Sequence, residues 1–246
     1  MILPKPEDVL HKNQMFRLLR EILSNKKIAS NLMFKGGTYA ALIGVLDRFS
    51  IDLDFDLPNK EKKDEIRQEC HAIFKKLDLN IKDESANYLQ FFLKYESKPY
   101  ERNTIKLEIN DDPSTFNKYE KVNLEELNLL CNAHTKDTMF ANKIVASIGR
   151  YEKNKKIAGR DFYDIHKFFL EGILVNKEVV EERTKKTYSD FLKELIQFTK
   201  EKLNNKILNQ DLNPLLPSDI LQMKIKTLKP ELITMLEDEL KRSDKK

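Results

Sequence analysis

The stretch that decides the fold is FKGGTYAALIGVLDRFSIDLDFDL, Phe34–Leu57. It starts with an apolar run, Leu32–Phe34, that stops at the adjacent glycines Gly36 and Gly37. A helical stretch follows over Thr38–Leu46. Ser50–Leu57 then alternates: Ile51, Leu53, Phe55 and Leu57 fall on one face, Asp52, Asp54 and Asp56 on the other, which is the pattern of a half-buried strand. Without side chains, the glycine pair lets the backbone approach a phosphate, and the free N–H groups of the helix start favour an anion. Lys35 adds a cation at the same turn, and Thr38 can cap the helix or bond the phosphate. The plain alternative is a tight turn that starts a helix.

Asp52 and Asp54 are two residues apart on a strand, so their side chains leave the same face about 6–7 Å apart. Paired hard oxygen donors suit Mg²⁺, which takes one or two carboxylates plus substrate phosphates. Asp56 points the same way and reads as more peripheral. A solvated outer face of an edge strand is the alternative. Taken together, a glycine turn, a helix and a strand bearing two carboxylates form the layout that holds a nucleoside triphosphate with Mg²⁺.

Around this block the first half reads as mixed. Helices are expected over His11–Ser24 and Lys60–Leu77, and further strands over Leu77–Ile81, Tyr88–Glu96 and Thr104–Ile109. Short connections favour antiparallel hairpins. Glu108, on the outward face of the last strand, supplies a third carboxylate if that strand lies beside Ser50–Leu57. It would complete the metal set or act as base for an attacking hydroxyl. The second half reads as helical. No proline lies between Pro113 and Pro214, and that stretch has only three glycines. Helices are expected over Leu124–Leu130, Thr138–Tyr151, Gly159–Glu171, Lys177–Thr187 and Ser189–Asn204. One or two more follow Leu215, with fraying over Arg242–Lys246. The expected class is α+β: a small mixed or antiparallel sheet in residues 1–115, then a helical bundle in 116–246, with a soft boundary near 112–123.

The chain's 246 residues carry 44 Lys+Arg and 40 Asp+Glu, a net charge of +4, which excludes a strongly acidic or basic protein. Hydrophobic residues at 40%, with 14 Phe and 8 Tyr, suffice for a core, so disorder is not expected over most of the length. Two cysteines, Cys70 and Cys131, are too few for a disulfide framework and point to a reducing compartment. The N-terminal residues lack a signal-peptide pattern, and no apolar run is long enough for a membrane span, so a cytoplasmic location is expected. The four histidines show no metal-ligand spacing and read as surface or packing residues.

A second informative block is ANKIVASIGRYEKNKKIAGRDFYDIHKFF, Ala141–Phe169. Lys143 and Arg150 are seven apart and share a helix face, suited either to neutralising a triphosphate or to an ordinary charged surface. Asp161 and Asp164 share a face of the next helix, either to act on substrate or to form ion pairs that orient Lys143, Arg150 or Arg160. Ser50, between Arg48 and Asp52, ends the strand or offers a hydroxyl for self-modification.

At these residues the sequence resembles the AbiEii/AbiGii-type nucleotidyltransferase toxins of the DNA polymerase β-like nucleotidyltransferase superfamily. The family pattern Lys-Gly-Gly-Thr, a helix, then Arg-x-Ser-x-Asp-hydrophobic-Asp falls on Lys35, Gly36, Gly37, Thr38, Arg48, Ser50, Asp52 and Asp54. A downstream Lys and Arg seven apart, then Arg-Asp-hydrophobic-Tyr-Asp, fall on Lys143, Arg150, Arg160, Asp161, Tyr163 and Asp164. Departures are Asn142, where the family often has Glu, and Tyr39, inserted in the first helix. The resemblance implies a polymerase β-like core and a helical domain that contributes Lys143 and Asp161 to the cleft. It implies a Mg²⁺-dependent enzyme transferring a nucleotide from an NTP to a macromolecule, tRNA favoured and protein as the alternative acceptor. Asp52, Asp54 and Glu108 would be the metal set, with Lys143 and Asp161 also catalytic. Lys35, Gly36, Gly37, Thr38, Arg48, Ser50 and Arg150 would bind the nucleotide. It further implies the toxin of a toxin–antitoxin or abortive-infection system for phage defence, with a winged-helix antitoxin encoded nearby. A catalytically inactive binding protein on the same scaffold is the competing reading.

Overall fold

The computed structural model describes residues 3–244 and divides the chain into two compact units: Met1–Pro113 with Lys118–Thr135, and Ser114–Asn117 with Lys136–Lys246. The first unit starts with α1 (Asp8–Ser24), whose buried stripe of Met15, Leu18, Leu19 and Ile22 follows the helical period. A short α2 (Lys26–Ala29) is capped by the Asn25 side chain, which accepts from the Lys27 N–H. Then come β1 (Met33–Lys35), α3 (Gly36–Leu42) and β2 (Asp52–Asp56). A 3₁₀ turn (Lys60–Lys62) leads into α4 (Lys63–Lys76), followed by β3 (Asn80–Glu84), β4 (Leu89–Lys94), β5 (Thr104–Asn110), β6 (Tyr119–Leu124) and β7 (Leu129–His134).

These strands form one seven-stranded mixed sheet in the order β3-β4-β5-β2-β1-β7-β6. The hairpins β3–β4, β4–β5 and β6–β7 are antiparallel, as is β1–β2, whereas β2–β5 and β1–β7 are parallel. Alternation sends Phe34, Leu53, Phe55, Phe91, Ile105 and Leu107 into the core, where the Phe34 and Phe55 rings stack at 4.9 Å. The opposite face carries Asp52, Asp54 and Asp56. His11, fully buried on α1, donates from Nε2 to the Ile51 carbonyl at 2.9 Å and so ties α1 to the approach of β2. It is a packing histidine, and burial lowers its pKa to about 4.

Two sequence expectations are corrected in this unit. The helix expected over Leu124–Leu130 is instead the turn of the β6–β7 hairpin. Leu124, Leu127 and Leu130 mimic a helical period, but Asn128 takes a left-handed φ of 52° and Leu130 is exposed. The strand expected from Leu77 starts at Asn80, because α4 runs to Lys76 and Asp78 is left-handed. Because the β6–β7 hairpin pairs with β1, residues 118–135 join the sheet-bearing unit.

The second unit contains α5 (Lys136–Asn154), α6 (Gly159–Leu170), α7 (Lys177–Thr184), α8 (Tyr188–Lys202), α9 (Asn205–Leu212) and α10 (Ser218–Ser243). Its core includes Phe140 stacked on Phe168, with Phe162, Leu192, Leu195, Leu208, Leu228, Leu232 and Leu236. The helix α10 continues through Pro230 to Ser243. The last two residues of the expected fraying segment, Lys245 and Lys246, lie outside the described residues.

Candidate active site

The glycine pair forms the first turn of α3 directly after β1, and its lack of side chains is what allows the local packing. Gly36 has a φ of 80°, in the left-handed region. A Cβ added there would lie 2.2 Å from Asp54 Oδ2 and 2.9 Å from Asp54 Cβ and Cγ. A Cβ on Gly37 would lie 2.8 Å from both Arg48 Nη2 and Ser50 Oγ. The helix start therefore rests on the second aspartate of β2 and on the Arg48–Ser50 segment preceding that strand.

The other motif residues fix this arrangement. Thr38 is fully buried, and its hydroxyl donates to the Asp52 carbonyl at 2.5 Å, so it pins α3 to β2 and does not cap the helix. Arg48 is buried and donates from Nη1 to the Phe49 carbonyl at 2.9 Å. Ser50 is also buried, against Gly37.

Register brings the carboxylates together. β2 and β5 run parallel with Asp52 opposite Lys106, Asp54 opposite Glu108 and Asp56 opposite Asn110. β1 places Lys35 opposite Asp54 on the other side. Half-buried Asp54 has its pKa raised to about 6 by desolvation, then by Asp52 and Glu108, with Lys35 and Lys106 opposing. Desolvation also acts on Glu108, but the Lys106 ammonium bonded to it and the charge of Lys35 prevail, leaving its pKa below the ordinary value.

Asp56 is not peripheral. It is fully buried and receives Lys35 Nζ at 2.5 Å, His134 Nε2 at 2.7 Å, the Tyr119 hydroxyl at 3.2 Å and Asn110 Nδ2 at 3.3 Å. Burial opposes its charge, yet Lys35 and His134 hold its pKa well below the carboxylate range. Sequence reading missed His134 and Tyr119, which lie far along the chain. The only signal was the polar alternation Asn132, His134 at the end of β7.

The donor chemistry fits a hard divalent cation: Asp52, Asp54 and Glu108 offer carboxylate oxygens from one sheet face, and their mutual repulsion asks for positive charge. Among the described residues, no three His, Cys, Asp or Glu side chains are gathered as a preformed metal cluster. Glu108 is turned to Lys106 and Gln90.

In the second unit, Lys143 on α5 pairs with Asp161 at 3.1 Å and Asp164 at 2.9 Å, both from α6 and both fully buried. Arg150 Nε lies 2.8 Å from Asp161 Oδ2. Both carboxylates thus brace the cations of α5, the ion-pair alternative of the sequence reading.

A helix start seated on a carboxylate-bearing strand of a mixed sheet, followed by a helical unit, defines a nucleotidyltransferase fold. The chain belongs to the nucleotidyl transferase AbiEii toxin family of Type IV toxin–antitoxin systems, whose sequence profile matches residues 17–225. It is accordingly a nucleotidyltransferase of a toxin family, and membership implies an antitoxin partner. Two solved structures share the fold. JHP933 from Helicobacter pylori is 20% identical, with a TM-score of 0.55 over 99% of this chain and 96% of that one. MenT4, a nucleotidyltransferase toxin from Mycobacterium tuberculosis H37Rv, is 15% identical, with a TM-score of 0.53 over 92% of this chain and 84% of that one. No curated protein matches the sequence. No helix among the described residues is long and apolar enough to cross a membrane.

Proposed function

We propose that this protein transfers a nucleotide from a nucleoside triphosphate, with Mg²⁺, to a hydroxyl of an RNA acceptor, tRNA being the favoured class. The observation that supports this reading is the packing of Gly36 onto Asp54: a helix start whose free N–H groups would suit a phosphate lies beside carboxylates that would suit a metal. Asp52 and Asp54 would hold Mg²⁺, with Glu108 joining them; its lowered pKa suits a ligand better than a base. When bound, the ion would neutralise phosphate charge and polarise the bond under attack. The backbone N–H groups of Gly36 and Gly37, with the Lys35 ammonium, would receive the phosphates. The hydroxyl oxygen bonds to the α-phosphorus, pyrophosphate leaves, and the hydroxyl proton passes to solvent. Lys143, held by Asp161 and Asp164, and Arg150 supply cations suited to phosphate.

An RNA acceptor is favoured over a protein by the second unit's surface. Lys153, Lys155 and Lys156 are exposed, and the Tyr151 ring lies under the ammonium groups of Lys155 at 5.2 Å and Lys202 at 5.7 Å. Phosphate-tracking cations around an aromatic ring suit a nucleic-acid strand. A winged-helix antitoxin encoded nearby is the proposed partner. The test is incubation with Mg²⁺ and each of four α-labelled nucleoside triphosphates, with total RNA or with cell protein. Label in RNA with release of pyrophosphate is expected. Label confined to protein would move the acceptor to that class, and label in neither fraction with any nucleotide would refute the reading.

A further inference from the structure

The carboxylates of the candidate site continue across the sheet as a polar row. From β5 to the β6 edge, neighbouring strands contribute Asn110, Asp56, Lys35, His134 and Tyr119 in turn. Asp56 is the hub: its Oδ1 takes Lys35 and Asn110, and its Oδ2 takes His134 and Tyr119. Asp56 is completely buried, whereas the Lys35 side chain keeps 21% of its surface exposed. The ammonium is thus anchored from below while part of the side chain remains open. Lys35 immediately precedes the glycine pair, stands opposite Asp54 in register, and acts electrostatically on both Asp54 and Glu108.

We propose that Asp56 is a positioning residue that holds the Lys35 ammonium at the diglycine turn, where it meets the triphosphate. The inference rests on the functional reading above. A lysine has four rotatable side-chain bonds, and an unanchored ammonium spends little time at any one point. A buried carboxylate fixed by three further donors removes that freedom before the phosphate arrives, which lowers the cost of binding. The row also explains why an acid stands here at all. A carboxylate this close to an anion site weakens binding through its field, and a gain in lysine placement would offset that.

This opposition of signs gives the test. Binding of magnesium tripolyphosphate is measured by calorimetry, and the KM for the nucleotide that wild type incorporates is measured alongside it. Asp56→Asn removes a negative charge, so field alone would tighten binding. Loss of the anchor would weaken it about tenfold, in KM with kcat little changed. Lys35→Met is expected to weaken binding about tenfold, and the double variant by about the same factor; independent effects would give about a hundredfold. In ¹⁵N-lysine spectra the Lys35 ammonium, identified by its absence in Lys35→Met, should be visible in wild type and lost in Asp56→Asn. Tyr119→Phe removes one of the donors that fix Asp56 and serves if Asp56→Asn fails to fold. It should raise KM about two- to threefold, and not in the Lys35→Met background. Unchanged or tighter binding in Asp56→Asn, or in Tyr119→Phe where that variant stands in, would overturn the proposal alone, as would additive effects in the double variant. Wild type that takes up neither probe would overturn it together with the functional reading.

Discussion

Gly36→Ala separates two costs that the structure places at one residue. At a φ of 80°, an alanine is strained by the left-handed backbone, at about 1–2 kcal/mol. Its Cβ would also stand 2.2 Å from Asp54 Oδ2 and 2.9 Å from Asp54 Cβ, so the carboxylate must rotate away and, because the backbone carries the Asp54 Cβ, β2 or the glycine turn must shift as well. Overpacking of this kind adds about 1–3 kcal/mol, for a total of about 2–5 kcal/mol. Gly44→Ala is the internal control: its φ is 77°, and nothing lies within 4 Å of the added Cβ. It should show the backbone cost alone. Urea unfolding would therefore show Gly36→Ala about 1–3 kcal/mol less stable than Gly44→Ala. The kinetic difference should be larger, because moving a metal-type carboxylate by about 1 Å costs about a hundredfold in rate. Nucleotide incorporation should fall about a hundredfold or more in Gly36→Ala and within about threefold in Gly44→Ala. If both variants keep wild-type incorporation, the contact between the glycine turn and Asp54 has no catalytic meaning.

The raised pKa of Asp54 has a consequence for stability. Below pH about 4 the group is protonated in both states; as pH rises towards about 6 the unfolded chain ionises first, so the folded state loses stability. Asp54→Asn should stabilise the metal-free protein at pH 7 by on the order of 2–3 kcal/mol, with the gain vanishing near pH 4, as thermal scans across that range would show. Lys143→Met leaves the fully buried Asp161 and Asp164 without their shared ammonium and should cost about 3–5 kcal/mol in urea unfolding. Asp164→Asn added to that variant should recover part of the loss. Thr187→Ala removes the side chain that accepts from the Asp190 N–H at the start of α8 and should cost about 1 kcal/mol by the same measurement.

The diglycine turn and the alternating aspartates were legible because each is local: adjacent glycines and a period of two need no partner to be read. The parallel register that sets Glu108 beside Asp54 was legible only as a condition, since pairing between β2 and β5 is decided across some fifty residues. Asp56 shows the limit. Alternation gives it the same face as Asp52 and Asp54, but its partners include His134 and Tyr119, from a hairpin whose central stretch, Leu124–Leu130, read as a helix. The leucine spacing of Leu124–Leu130 fits a helix; pairing of β7 with β1 overrides it. The role of Thr38 was likewise undecided, because a buried hydroxyl bonded to the Asp52 carbonyl and a helix cap look alike in sequence.

The central claim is that the turn at Gly36 and the aspartates of β2 form one magnesium–triphosphate pocket. Calorimetric titration of wild type, Gly36→Ala and Asp54→Asn with a non-hydrolysable nucleoside triphosphate, with and without Mg²⁺, tests it most directly. The account predicts binding by wild type that requires Mg²⁺ and is lost in both variants. Equal binding without the metal, or unchanged magnesium-dependent binding in either variant, would contradict it.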